Sequence, residues 1–225
     1  MTQLANPRIL VTGGRGFLGR AICRAAVQAG VDVISVGRTA CHSAQAASLP
    51  PAVHCIQADI FNPAIWAPYL DGCTALVHSV GVLREDPAAG RTYERMIFET
   101  ARVAGDMAVK LGVPRFVFVS ADGVLPPGTP RGYLDCKRRA EAYLGALKLA
   151  LVIARPSLIY GFERPQSMKE KQLADRVSRL PLVGRRLSRS RPLPVDTVAR
   201  ALVRAAMDPA LKGVLGIDDL ERIGA

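Results

Sequence analysis

Three glycines near the start of the chain have the spacing of a phosphate-binding turn. Gly13, Gly16 and Gly19 follow the apolar run at residues 9–11 and precede an Ala-rich helical stretch at residues 20–29. In such a strand–turn–helix unit the second glycine lets backbone N–H groups approach a pyrophosphate, and the helix N-terminus attracts the anion. We expect these residues to bind a dinucleotide; the alternative is a tight strand-to-helix turn without a ligand.

The elements that would position this turn alternate regularly along the chain. Short apolar runs, each typical of a buried strand, are separated by stretches with helical periodicity. Strands that are apolar throughout are typical of a parallel sheet with helices on both faces. The sequence therefore predicts an α/β fold, a doubly wound parallel sheet (Rossmann fold) with a small C-terminal lobe. The predicted strands are residues 9–11, 31–36, 53–58, 75–79, 116–119, 151–154 and 213–217, and the predicted helices are residues 20–29, 63–70, 92–111, 133–148 and 196–207, the last with Asp196 as its N-cap.

The length and the general composition indicate one α/β domain. Residues 1–225 can form a single core, within which we expect residues 162–195 to form a lid segment on the substrate side. No apolar run reaches the ~20 residues that cross a bilayer, and the N-terminus lacks a charged-then-apolar secretion signal. The five cysteines are scattered without a C-x-x-C pair, so we expect reduced thiols in a cytoplasmic protein and no metal site.

The positive charge is concentrated in the C-terminal third. The chain has a formal net charge of +11, and residues 131–204 carry 17 Lys and Arg against 6 Asp and Glu, which accounts for all of it. Nine of these basic residues lie within residues 164–191, interleaved with apolar ones. No nucleic-acid-binding motif accompanies them, so we expect no nucleic-acid partner. The segment suits peripheral contact with an anionic inner membrane face, or a solvated lid over the substrate, and both interpretations stay open.

Four further motifs follow the glycine turn, which has the form T-G-x-x-G-x-x-G at residues 12–19. They are Asp59-Ile60 after the third predicted strand, Ser120 with the Tyr-x-x-x-Lys motif at residues 133–137, the R-P-x-x-x-Y-G segment at residues 155–161, and the turn at residues 193–199. Together these motifs resemble those of the short-chain dehydrogenases/reductases of the extended or atypical kind. The resemblance covers nearly the whole chain.

The resemblance implies that Ser120, Tyr133 and Lys137 are catalytic. Carbonyl reduction needs a proton donor at the substrate oxygen; Tyr133 would be that acid, and Ser120 would orient the oxygen. The ammonium of Lys137 is one helical turn away on the same face, so we expect it to lower the pKa of Tyr133 from its ordinary value of about 10. The alternative is an ordinary exposed Tyr–Lys pair at a helix start, with Ser120 as a polar strand end.

The end of the second predicted strand indicates which nicotinamide dinucleotide binds. An acidic residue at this point would bond the ribose 2′-OH of NAD. Here the strand ends in Gly37-Arg38 without a carboxylate, and a guanidinium can hold a 2′-phosphate. Arg15 in the glycine turn could assist. We therefore expect NADP(H) to be preferred over NAD(H); the alternative is that Arg38 is a solvated loop charge.

The same resemblance implies a set of cofactor contacts around the turn and the neighbouring strand ends. Residues 78–81 end the fourth predicted strand, where the family carries a small-residue loop beside the cofactor ribose. We expect the ring of His78 to be packed rather than to act as an acid or base. The implied contacts are Thr12, Gly13, Arg15, Gly16, Phe17, Leu18, Gly19, Arg38, Asp59, Ile60, His78, Ser79, Val80, Gly81 and Pro156.

A narrower resemblance links the chain to atypical members tied to coenzyme Q biosynthesis and to the Rossmann-fold accessory subunit of respiratory complex I. It rests on residues 16–20, 77–81, 92–96 and 116–121. It implies an NADP(H)-dependent oxidoreductase with a hydrophobic carbonyl or quinone-related substrate. Two other functions stay open. One is a non-catalytic NADPH-binding accessory or assembly factor for a membrane-associated quinone-biosynthesis or respiratory complex, and the other is a redox sensor without turnover.

Overall fold

The computed structural model describes residues 6–40, 49–123, 130–178 and 190–225, and the side chains of residues 173–178 are not described. Its strands are Arg8–Thr12 (β1), Asp32–Gly37 (β2), His54–Gln57 (β3), Ala75–His78 (β4), Phe116–Val119 (β5), Leu151–Ala154 (β6), Ile159–Tyr160 (β7), Leu193–Pro194 (β8) and Gly213–Leu215 (β9). Seven of them form one parallel sheet in the spatial order β3-β2-β1-β4-β5-β6-β9. Strands β7 and β8 form a separate parallel pair.

Helices connect these strands and cover the sheet. The α-helices are Phe17–Gln28 (α1), Pro63–Trp66 (α2), Thr100–Lys110 (α3), Arg131–Ala146 (α4), Pro165–Ser178 (α5), Val195–Met207 (α6) and Ile217–Gly224 (α7). Shorter helical turns are the 3-10 segments Ala67–Leu70 and Pro87–Ala89 and the π-helical segment Glu94–Glu99.

Apolar side chains fill both faces of the sheet. Along β1, Ile9 and Val11 pack on the side of α1, α6 and α7, while Leu10 packs on the side of α2, α3 and α4. This alternation follows from the two-residue period of a strand. A parallel sheet covered by helices on both faces confirms the predicted doubly wound α/β fold. Strands β7 and β8 and helix α5 form the small C-terminal lobe.

Three helix predictions need correction beyond small shifts of their ends, and Ile217, which the sequence placed in the last strand, begins α7 instead. Helix α1 begins at Phe17 rather than Arg20, because the turn needs only residues 13–16. Residues 92–111 do not form one α-helix, since Glu94–Glu99 is π-helical and the α-helix begins at Thr100. Six residues are too few for the spacing of apolar side chains to distinguish a π-helix from an α-helix, which has ~3.6 residues per turn. Helix α6 begins after Pro194, so Asp196 lies in its first turn and is not the N-cap.

Part of the predicted basic segment falls outside the described residues, namely residues 179–189 and the side chains of residues 173–178. At its far end Arg191 forms ion pairs with Asp218 (2.8 Å) and Glu221 of α7. Within the ranges given above, no helix is long and apolar enough to cross a membrane. Cys41 also lies outside these ranges, and the four cysteines within them form no disulfide with one another.

Candidate active site

A cleft of about 510 Å³ opens at the carboxyl ends of β1, β4, β5 and β6. The strand order reverses between β1 and β4, and ligands of open α/β sheets bind at such a switch point. The cleft brings together the glycine turn, the loop after β4, the start of α4 and the loop after β6. Eleven of the predicted site residues line it: Gly16, Phe17, Leu18, Gly19, Ser79, Val80, Gly81, Ser120, Tyr133, Lys137 and Pro156.

The glycine turn fits a dinucleotide pyrophosphate. Gly13 has φ of +75°, a left-handed conformation, and its carbonyl accepts the N–H of Gly16 (2.9 Å). A Cβ on Gly19 would lie only 2.1 Å from the Gly13 oxygen, so glycine alone allows α1 to begin here. Gly16 caps α1 without a side-chain hydrogen bond, and the first turn of α1 has no acidic residue. The first N–H groups of α1 can therefore bind an anion at the cleft.

The end of β2 carries two guanidinium groups with different surroundings. Arg15 is buried, and its Nη1 donates to the carbonyls of Gly37 (2.6 Å) and Thr39. Arg38 is exposed, and its carbonyl accepts from Nε2 of Gln57 (3.2 Å). No Asp or Glu occurs within residues 33–58. Arg15 thus holds the end of β2 in place, and Arg38 is the exposed cation beside it.

Tyr133 and Lys137 lie on one face of α4 and are both buried, which excludes an ordinary exposed pair. Nζ of Lys137 lies 5.9 Å from the centre of the Tyr133 ring and donates to the carbonyl of Val119 (2.6 Å). Burial, with a smaller effect of Tyr93, raises the pKa of Tyr133 to about 12, and burial lowers the pKa of Lys137 to about 8. The prediction of a lowered pKa for Tyr133 is therefore wrong for this structure, because burial, the largest effect on its pKa, disfavours the phenolate.

Ser120 is bound to a buried carboxylate that the sequence motifs did not indicate. Glu141, 6% exposed, accepts hydrogen bonds from Ser120 Oγ (2.5 Å), Arg138 Nη1 (2.6 Å) and Arg155 Nε (2.9 Å). Arg155 also donates through Nη2 to the second carboxylate oxygen. The one signal in the sequence is the spacing, since Glu141 follows Lys137 by four residues and shares its face of α4.

His78 is a core residue. Its ring is fully buried beside the rings of Phe116 and Phe118, and its Nδ1 lies 2.8 Å from Thr12 Oγ1. Its Nε2 lies 3.3 Å from Oγ1 of Thr100. Burial, followed by the charge of Lys137, lowers the pKa of His78 to about 3, so the ring is neutral at physiological pH. The packing agrees with the interpretation of His78 as a structural histidine.

Seven predicted cofactor contacts do not line the cleft itself. After β3, Asp59 accepts the N–H of Phe61 (3.0 Å), and the carbonyl of buried Ile60 accepts from Trp66 Nε1 (3.0 Å). The roles of all seven residues stay predictions: Thr12, Gly13, Arg15, Arg38, Asp59, Ile60 and His78.

In the part of the chain that the structure describes, no group of three or more His, Cys, Asp or Glu is placed to hold a metal ion.

The loop after β4 contributes residues that the motifs did not single out. Val82, Leu83 and Arg84 line the cleft. Tyr93 holds this loop, because its hydroxyl donates to the carbonyl of Leu83 (3.0 Å) and its N–H donates to Glu85 (2.6 Å). The Tyr93 ring also meets the Tyr133 ring edge to face, with 5.7 Å between the ring centres. Tyr93 thus connects the loop to the candidate acid.

Comparison with known proteins gives concordant matches. The model of the NAD dependent epimerase/dehydratase family matches residues 9–211. The chain is 30% identical over 242 residues to an uncharacterized chloroplastic protein of Arabidopsis thaliana, covering 100% of this chain and 80% of that protein. It is 28% identical over 225 residues to the ceramide reductase of Caulobacter vibrioides, covering 100% of this chain and 68% of that protein. The UDP-glucose 4-epimerase of Thermus thermophilus, solved with NAD, has the same fold, with a TM-score of 0.67 and 19% identity over 96% of this chain and 80% of that one.

The family match includes every part of the cleft described above. It spans the glycine turn, Ser120, the Tyr133–Lys137 pair and the loop after β6. The chain therefore belongs to the NAD-dependent epimerase/dehydratase family, the extended short-chain dehydrogenases/reductases, which are enzymes that use a nicotinamide dinucleotide.

Proposed function

We propose that the chain is an NADP(H)-dependent reductase of a hydrophobic carbonyl compound, with quinone-related compounds as the leading substrate class. The observation that carries this proposal is the cleft, in which the start of α1 and the buried groups of Ser120, Tyr133 and Lys137 line one space. A dinucleotide held by residues 16–19 would supply the hydride.

Tyr133 is suited to donate the proton that carbonyl reduction requires. Its pKa of about 12 keeps the phenol protonated at neutral pH. Lys137 is mainly charged at neutral pH, since its pKa is about 8, and its ammonium favours the phenolate that remains after proton transfer. Burial of both groups excludes water, which strengthens this interaction in the transition state.

The preference for NADP(H) is supported by the end of β2. Arg38 is exposed there, where an NAD-specific enzyme would hold the ribose 2′-OH with a carboxylate, and residues 33–58 contain no Asp or Glu. Arg15 braces the strand end through Gly37 and Thr39. An exposed guanidinium at this point would bind a 2′-phosphate.

Titration of the protein with NADPH and with NADH, followed by cofactor fluorescence, tests this preference. We expect Arg38→Asp to weaken NADPH binding at least tenfold, because a carboxylate replaces the cation and repels the phosphate. Arg8→Asp is the matched control, since Arg8 is exposed at the amino end of β1, away from the carboxyl end of β2, and its substitution changes the charge equally. Equal weakening in both variants, or tighter NADH binding by the unsubstituted protein, would contradict the proposal.

The substrate class is supported by the apolar walls of the cleft. Val82, Leu83, Ala121 and Leu158 line it, and Leu83 is 43% exposed at its rim. Such walls favour a substrate with an alkyl or prenyl chain, because binding removes the apolar surface of that chain from water. The carbonyl would then lie among Ser120, Tyr133 and Lys137.

A second candidate is a non-catalytic NADPH-binding accessory factor of a membrane-associated quinone-biosynthesis or respiratory complex. The observation that favours it is the raised pKa of Tyr133: the phenol stays protonated at neutral pH, but it is a weaker acid than a phenol whose pKa lies nearer to neutral pH. Cellular complementation separates the two functions. Under the accessory function Tyr133→Phe retains activity in the cell and Gly16→Asp abolishes it, whereas loss in both variants supports the reductase.

We also propose peripheral contact between the basic segment, residues 164–191, and an anionic membrane face. Its nine basic residues and interleaved apolar residues support this contact. Co-sedimentation with vesicles of phosphatidylcholine, with and without phosphatidylglycerol, tests it over a salt series. We expect binding to the anionic vesicles that weakens with salt, and absence of binding at low salt would contradict it.

A further inference from the structure

Phe162 is the most exposed large apolar side chain in the part of the chain that the structure describes. Its exposed fraction is 90%, whereas the next most exposed such residue, Val214, reaches 48%. Exposure of a single apolar residue is ordinary in folded proteins, so the surroundings of Phe162 decide whether its ring has a role. Burial of a phenyl ring is strongly favourable, and this ring is available for an apolar partner.

The backbone at Phe162 forms a tight turn that is packed against α6. The N–H of Arg164 donates to the carbonyl of Gly161 (3.0 Å), which makes Phe162 and Glu163 the two central residues of a β-turn. Gly161 lies so close to α6 that an added Cβ would be 2.8 Å from Cγ1 of Val195. The start of the turn is therefore in direct contact with α6.

Ion pairs attach the other side of the turn to α1. The Glu163 carboxylate accepts hydrogen bonds from Nε (3.1 Å) and Nη2 (2.7 Å) of Arg20, and it lies 2.7 Å from Nη1 of Arg24. Arg20 also donates to the carbonyl of Arg15 in the glycine turn (2.9 Å). The neighbours of Phe162 are thus held by the fold while its own ring stays in water.

The turn lies at the mouth of the cleft. A Cβ on Gly161 would be 3.2 Å from the ring of Phe17, which lines the cleft, and Arg164 lines the cleft as well. Leu83, 43% exposed, is a further apolar residue on the rim. Phe162 is therefore an exposed aromatic residue beside the opening of the cleft.

Positive charge follows Phe162 directly along the chain. The basic segment, residues 164–191, carries nine Lys and Arg against two acidic residues, and Lys169 is exposed on α5. Basic residues attract an anionic lipid surface, and an aromatic ring beside them can enter the acyl boundary. A second copy of the chain fits this surface less well, because both copies would carry a net charge of +11.

We infer that Phe162 inserts into the acyl boundary of an anionic membrane and brings the mouth of the cleft to the membrane surface. The inference rests on the proposed membrane contact of the basic segment and on the proposed hydrophobic substrate. It names the side chain that enters the lipid. A hydrophobic substrate then passes from the membrane into the cleft while its apolar surface stays out of water.

Vesicle co-sedimentation of Phe162→Ala and Leu111→Ala gives the first readout. Leu111 is the matched control, because it is 46% exposed in the turn before the amino end of β5, whereas the cleft opens at the carboxyl ends. With vesicles of phosphatidylcholine and phosphatidylglycerol at low salt, we expect Phe162→Ala to weaken binding at least about tenfold, since one ring no longer enters the lipid. Leu111→Ala should bind like the unsubstituted protein, and equal affinity of the two variants would overturn the inference.

Tryptophan fluorescence gives a second readout on the vesicles themselves. The one tryptophan of the chain, Trp66, is fully buried, so it provides a constant background. With brominated phosphatidylcholine in the vesicles, we expect quenching and a shift to shorter wavelength in Phe162→Trp but not in Leu111→Trp. Bound Phe162→Trp without quenching would overturn the inference and leave the contact of the basic segment intact. Absence of vesicle binding by the unsubstituted protein would overturn both.

Turnover with NADPH tests the position of the cleft. We expect Phe162→Ala to lower kcat/KM at least about tenfold more for 2-octadecanone held in vesicles than for 2-octanone in water. Equal loss with both ketones would overturn delivery from the membrane. If the unsubstituted protein reduces neither ketone while Phe162→Trp is quenched, the proposed reductase function fails and the insertion of Phe162 stands.

Sedimentation velocity without lipid tests the competing occupant, a second copy of the chain. We expect the unsubstituted protein and Phe162→Ala to have the same oligomeric state. A dimer that dissociates in Phe162→Ala but not in Leu111→Ala would show that a second copy covers the ring, and it would overturn the inference.

Discussion

Lys137 is a residue whose charge depends strongly on the folded structure. Its side chain is 4% exposed, and its Nζ donates to the carbonyl of Val119 and faces the Tyr133 ring. An ammonium in this position loses most of its hydration, so its pKa falls from 10.5 to about 8. The sequence motif predicted which residues meet here, but burial sets their pKa values and burial is a property of the fold.

The pH dependence of stability tests this account of Lys137. Between pH 8 and 10.5 the unfolded chain keeps a proton on Lys137 that the folded chain releases, so the free energy of unfolding rises with pH over this window. We expect Lys137→Met to remove a rise of about 3 kcal/mol, as measured by urea unfolding at several pH values.

The control for this measurement is Lys110→Met, because Lys110 is exposed in the last turn of α3. Other groups that titrate in this range, such as the cysteines and tyrosines, contribute equally to both variants. If the free energy of unfolding changes with pH in the same way in Lys137→Met and in the unsubstituted protein, the lowered pKa of buried Lys137 is contradicted.

Among the elements, α1 and its glycine turn place the strictest demands on the sequence. The turn passes under the first residues of α1 so closely that Gly19 faces the carbonyl of Gly13 and the Cα of Gly14. This close approach explains why the glycine spacing was sufficient to predict the turn. The π-helical segment Glu94–Glu99 could not be predicted, since its residues follow the same apolar period as the helix after it.

Two Gly→Ala substitutions test the demand at α1. We expect Gly19→Ala to lower the free energy of unfolding by at least about 2 kcal/mol and to weaken NADPH binding, because its Cβ would lie 2.1 Å from the Gly13 oxygen. Gly145→Ala in α4 should stabilise the protein by about 0.5–1 kcal/mol, since its Cβ meets nothing within 4 Å and alanine favours a helix. Urea unfolding measures both, and equal effects would contradict the packing described here.

For the whole molecule, the sheet depends on contacts between distant parts of the chain. β9 joins the sheet beside β6, and Arg115 at the start of β5 donates to the carbonyls of Ala205 (3.3 Å) and Leu211 (2.6 Å). The alternating apolar runs were sufficient to predict a parallel sheet. They did not predict the strand order or the role of Arg115, because both depend on contacts between residues far apart in the chain, 90 and 96 residues apart for Arg115.

Replacement of Arg115 tests how firmly the C-terminal part of the chain is joined to the sheet. We expect Arg115→Leu to cost about 2 kcal/mol by leaving two carbonyls without their donor, and to lower Tm by about 4–8 °C. Arg102→Leu is the control, since Arg102 is half exposed and pairs with Asp106 at 3.5 Å, and it should change stability by less than about 0.5 kcal/mol. Calorimetry measures the Tm of both variants, and an unchanged Tm in Arg115→Leu would contradict the prediction.

We propose carbonyl reduction with Tyr133 as the acid for this member of the family, and Tyr133→Phe tests it. The most direct measurement is NADPH consumption with 2-dodecanone and with a decyl-substituted benzoquinone, for the unsubstituted protein and for Tyr133→Phe. We predict turnover that falls at least about 100-fold in Tyr133→Phe while NADPH still binds, because the phenol is the proton donor. Tight NADPH binding without turnover in the unsubstituted protein, or equal turnover in both, would contradict the claim.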